Sequence, residues 1–113
     1  MIALADLESM FKNMRSETKW NVDGDMLWGY FFFDPSPEKL NSLAEELKKT
    51  GYHFVNVHQT DDKSSYVLHV ENVETHTPAT LDKRNHELTA LAEKYGVECY
   101  DGMDVGPVVV TKK

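Results

Sequence analysis

The stretch MLWGYFFF, Met26 to Phe33, decides the fold. It is apolar or aromatic at alternate positions on both sides and too short for a free-standing helix. That pattern predicts a strand at the centre of a sheet. One side carries Trp28, Tyr30 and Phe32; the other carries Leu27, Phe31 and Phe33. Everything else in the chain must pack around this strand or pair with it.

Downstream, DPSPEKLNSLAEELKKTG has the marks of a helix with clear ends. Ser36 caps it, Pro37 takes its first position and Gly51 stops it. Leu40, Leu43, Ala44 and Leu47 form its apolar stripe. YHFVNVHQ and SYVLHVENV alternate and flank the short polar TDDKS, which predicts a hairpin. THTPATLDKRNHELTALAEKYG repeats the helix pattern: Thr77 caps, Pro78 begins and Gly96 ends it, with Leu81, Leu88, Leu91, Ala92 and Tyr95 facing inward. VECY and VGPVVV supply the last strand or strands.

The order from Met26 is therefore β-α-β-β-α-β, an α+β sandwich of ferredoxin-like, split βαβ pattern with two helices on one face of an antiparallel sheet. Upstream, Leu4, Leu7, Phe11 and Met14 have helical spacing, so an amphipathic helix over residues 1–20 is expected to pack on a domain spanning 23–113. WNVDGD, Trp20 to Asp25, reads as the turn between them. Two helices need one sheet face, so the N-terminal helix, or a second copy in a homodimer, is expected to cover the other.

The chain has 113 residues, enough for one domain with a core. Cys99 is the only cysteine, which excludes an internal disulfide and a multi-cysteine zinc site. Within VECY it is expected to be a small buried residue. No apolar run is long enough to span a membrane. MIALADLESMF lacks a basic leader, so a cytoplasmic location is expected. The net charge of −7 and scattered Lys and Arg argue against nucleic acid as a direct partner and favour a basic protein surface.

ECYDGMDVG, Glu98 to Gly106, has two glycines that interrupt a strand, and a bulge is the expected reason. Asp101 and Asp104, or Asp23 and Asp25, offer oxygens to a metal, but neither loop has the spacing of a calcium site. Of the five histidines, His53 and His58 are five apart, which places them on opposite faces of a regular strand. His76 falls in a loop and His86 on a polar helix face near Asp82. No nucleophile, metal or phosphate motif is present, so neither catalysis nor a cofactor is expected.

The same region resembles a known family. In ELTALAEKYGVECYDG, Leu91, Ala92, Glu93, Lys94, Tyr100, Asp101 and Gly102 are similar to the C-terminal signature of the regulator of ribonuclease E activity B family. LAEELKKTGYHFV and VENVETHTPATLDKRNHEL also resemble that family, so the likeness runs over about Asp23 to Gly106. Met103 stands where the signature has Trp, and the end VVVTKK differs from the family's acidic tails. The resemblance implies an α+β sandwich and a cytoplasmic, non-catalytic protein that binds ribonuclease E and lowers its cleavage of RNA.

An acidic docking surface would then include Glu71, Glu74, Asp101 and Asp104, with Trp28 as an aromatic contact. The rival reading is an RNA-recognition-like module that stacks bases on Trp28 and Tyr30. A dimeric module for another ligand or partner is the third.

Overall fold

The computed structural model describes residues 3–107. Three helices and four strands follow one another as α1 (Leu4–Glu17), β1 (Met26–Asp34), α2 (Pro37–Lys49), β2 (His53–Gln59), β3 (Tyr66–Glu74), α3 (Pro78–Lys94) and β4 (Cys99–Gly106). Val108 to Val110, expected to continue the last strand, lie outside the described residues.

The helix ends follow local chemistry. Ser36 Oγ accepts from the Lys39 amide at the start of α2. Thr77 and Thr80 cap each other reciprocally at the start of α3, with a proline in the first turn of each helix. Gly51 and Gly96 follow α2 and α3 with φ of 99° and 68°, a backbone state that side-chain-bearing residues rarely adopt. The loss of the amide and the left-handed turn between them explain why these helices begin and end where they do.

The four strands form one antiparallel sheet in the order β2-β3-β1-β4. Each βαβ unit is thus split by a strand of the other. β1 lies inside the sheet, as its two-sided apolar pattern requires. Two bulges break the register. One leaves Val55 of β2 unpaired between Phe54 and Asn56. The other leaves Asp101 of β4 unpaired between Tyr100 and Gly102.

Trp28, Tyr30 and Phe32 are fully buried, together with Leu40, Leu43 and Leu47 of α2 and Leu81 and Leu88 of α3. At roughly 25 cal/mol per Å² of apolar area, such burial is the main favourable term in folding.

The position of α1 differs from expectation. Its Leu7, Phe11 and Met14 join the same core, and the Phe11 ring stacks on Trp28 with centroids 5.9 Å apart. All three helices therefore share one sheet face. Trp28 explains this: its large ring needs a roof beyond what α2 and α3 supply, and Phe11 provides it. Leu4, expected in the stripe, is exposed. An ion pair between Arg15 and Asp23 ties the end of α1 to the turn before β1.

Candidate docking surface

The sheet has two unlike faces. On the helix face, residues from β1, β3 and α3 form a polar knot at the margin of the core. The Tyr30 hydroxyl donates to Glu74 Oε1 at 2.5 Å, and His76 Nε2 lies 3.0 Å from the same oxygen. Arg84 pairs with Glu74 Oε2 and donates to the Tyr52 hydroxyl at 2.7 Å. His76 Nδ1 is 3.0 Å from Thr80 Oγ1.

Burial opposes the charge on Glu74, but the bonds to His76, Arg84 and Tyr30 outweigh it and hold the carboxyl down at about 2. Burial pushes Tyr52 up to about 12. It also raises Tyr30, reinforced by the Glu74 carboxylate. Every charged group in the knot is answered by another, so the knot holds β3 to α3 and offers no free charge to a partner.

On the other face no helix lies over the sheet among the described residues. The register sets out its rows. His53, Glu71, Gly29 and Asp104 form one row across β2, β3, β1 and β4. Asn56, His69, Phe31 and Gly102 form the next, followed by His58, Val67, Phe33 and Cys99. Phe31 and His69 stack with centroids 4.4 Å apart and planes 20° from parallel. Val73 stands exposed beside the half-buried Leu27.

The electrostatics of this face are one-sided. The four strands contain no Lys and no Arg. Among the described residues no hydrogen-bond donor or cation pairs with the carboxylates of Glu71 or Asp104. Two acids therefore stand on the open face without a counter-charge.

The five residues expected at a docking surface separate accordingly. Glu71 and Asp104 come together on the open face, on either side of Gly29. Asp101 is exposed in the β4 bulge near them. Glu74 turns to the helix face and is consumed by the knot. Trp28 is fully buried between Phe11 and His76, because its side of β1 is the side the helices cover. Neither Trp28 nor Tyr30 can therefore stack a base, and the aromatic platform of the RNA-recognition reading is absent from the open face.

Two further expectations change. His53 and His58 lie on the same face, with His69 between them, because the extra residue Val55 shifts the alternation by one. Cys99 is exposed, and burial together with Asp101 and Glu98 raises its thiol above the ordinary range. His76 lies in the loop between β3 and α3, as expected, and its side chain is buried in the knot.

Sequence reading missed the buried Asn85, which accepts from the Tyr100 hydroxyl at 2.7 Å. Its position between Leu81 and Leu88, at helical spacing, was the available signal. The Tyr100 of the YDG motif packs against Phe32, so that residue of the motif serves the core.

Among the described residues, no group of three His, Cys, Asp or Glu side chains is placed to hold a metal ion, and no helix is long and apolar enough to cross a membrane. No curated protein matches the chain. The family described as Regulator of ribonuclease activity B matches residues 5–105, from the start of α1 nearly to the end of β4.

Proposed function

Since the chain belongs to the regulator of ribonuclease activity B family, we propose that it lowers cleavage by ribonuclease E through docking, without chemistry of its own. The docking surface is the open sheet face, and the partner segment is basic. The observation that carries this reading is the absence of Lys and Arg from all four strands, with Glu71 and Asp104 unpaired among the described residues. A basic segment laid across β3, β1 and β4 would meet both acids and the apolar rings beside them. Complementary charge of this kind speeds encounter and sets partner choice. Asp101, in the adjoining bulge, extends the acidic margin. A cytoplasmic location accords with such a partner.

The test is cleavage of a short RNA by purified ribonuclease E carrying its C-terminal scaffold, with and without this protein. Dose-dependent slowing is expected, with a complex that weakens as salt rises. The Glu71→Gln, Asp104→Asn double variant should weaken the complex about tenfold or more, the loss of two charge-assisted contacts. Absence of both complex and slowing would remove the reading. Assembly of the protein with itself through this face, detected by sedimentation, would assign the face to a second copy instead.

A further inference from the structure

We propose that residues 108–113, VVVTKK, occupy the open sheet face of their own chain and that the basic partner segment must displace them. This rests on the docking reading and supplies its regulation.

The chain leaves the sheet where the open face is barest. Gly106, at the end of β4, stands in one row with Leu27 of β1 and Val73 of β3. β2 adds no residue to this row, because its pairing with β3 goes no further than Glu71. Val73 is 45% exposed, and a Cβ on Gly106 would meet no atom within 4 Å. Among the described residues, an apolar shelf with nothing over it thus lies beside the last residue of the strand. Pro107 follows, exposed, and has no amide hydrogen to give to a ladder.

The residues that come next match the shelf and the acids behind it. Valine is β-branched and favours extended backbone. An extended chain sends Val108, Val110 and Lys112 to one side, which is two apolar contacts followed by a cation. The face offers their counterparts in the same order. Leu27 and Val73 form the first row, and Glu71 and Asp104 flank Gly29 in the next. Distance permits the match. Glu71 lies two strand spacings across and two residues back from Gly106, about 12 Å in all. The extended stretch from Pro107 to Lys112 spans about 17 Å.

Charge selects this occupant. The Lys and Arg of the described residues lie on the three helices, in the loop from α1 to β1 and in the β2–β3 turn. Lys112 and Lys113 instead follow directly on β4. So short a tether gives them a high effective concentration at the two acids, against which a free basic segment must compete.

The test places a nitroxide on the isotope-labelled full chain at Thr111→Cys, in a Cys99→Ser background, which keeps both lysines. Broadening is expected in the methyl signals of Leu27 and Val73 and the amide signal of Glu71, and it should weaken as salt rises. Lys112→Glu with Lys113→Glu should cut the broadening at Glu71 by about half or more, since like charges repel. Circular dichroism checks that each variant folds. Broadening that is absent, or unchanged by the charge reversal, overturns the proposal and leaves docking untouched.

Binding of ribonuclease E separates the two ideas. A chain ended at Pro107 should bind the enzyme about fivefold tighter, as expected if the full chain has its face free about one fifth of the time. Equal binding by the two lengths overturns the competition. If the charge-dependent broadening is present and neither length binds the enzyme, the segment keeps its place on the face and the regulator reading falls.

Discussion

The Tyr30 hydroxyl donates to Glu74 across the helix face of the sheet at 2.5 Å. The two residues are 44 positions apart, and the bond draws the end of β3 inward at the point where the chain turns into α3. Arg84 and His76 complete the knot, so a single carboxylate anchors a strand, a loop and a helix.

This makes stability depend on pH in one direction. Glu74 is held at about 2, below its ordinary value of about 4.5. A carboxyl depressed in the folded state contributes its full stabilisation above the ordinary value, and loses it as pH falls toward the folded one. The contribution is on the order of 3 kcal/mol for this side chain, which is mostly out of solvent. Urea midpoints at pH 7 and at pH 3 should therefore differ, and the difference should shrink markedly in Glu74→Gln. An undiminished pH dependence in that variant would show that other carboxyls dominate.

Phe11 tests the attachment of α1. The ring is fully buried against Trp28. Phe11→Ala should lower stability by about 3 to 5 kcal/mol, as large-to-small changes in a packed core do. The unfolding transition should remain single if α1 and the sheet share one core. A separate early loss of helix signal, with the main transition unmoved, would mean that α1 folds apart from the rest.

Asp34 closes the far end of β1. Its carboxylate is buried, accepting from the Ser36 amide at 2.7 Å and the Glu98 amide at 2.9 Å. Asp34→Ala leaves both donors without an acceptor and should reduce stability by roughly 2 to 4 kcal/mol. Asp34→Asn keeps one acceptor oxygen and should lose about half as much. Chemical denaturation of the three proteins side by side decides this.

Cys99 is exposed yet held in its protonated form by partial burial and by Asp101 and Glu98. Its reaction with a disulfide reagent near neutral pH should be slower than in the urea-unfolded chain, because the thiolate is the attacking species. The rate profile should lie at higher pH in the folded protein. Asp101→Asn should move it part of the way back. Identical folded and unfolded profiles would contradict the assigned environment.

The wall between what sequence determines and what it leaves open runs through particular residues. Pro37, Pro78, Ser36 and Thr77 start helices because a missing amide and a side-chain acceptor act within one turn. Gly51 and Gly96 end them for an equally local reason. The period of two in β1, β2 and β3 comes from the backbone of each strand alone, and the order of elements followed from it. The acids at 71 and 104 could be named as exposed candidates because charge is costly to bury.

Tertiary structure alone decided which way these patterns turned. Glu74 has the same chemistry as Glu71, but Tyr30, His76 and Arg84 exist as its partners only once β1 and α3 have packed. An apolar stripe states that α1 must be covered without stating by what, and the roofing of Trp28 settled that. The extra residue Val55 carries no mark in the sequence, yet it brought His53, His58 and His69 to one face. Periodicity is a property of one element and can be read from it. Facing is a relation between elements, and it exists only when the distant strands and helices that define it are in place.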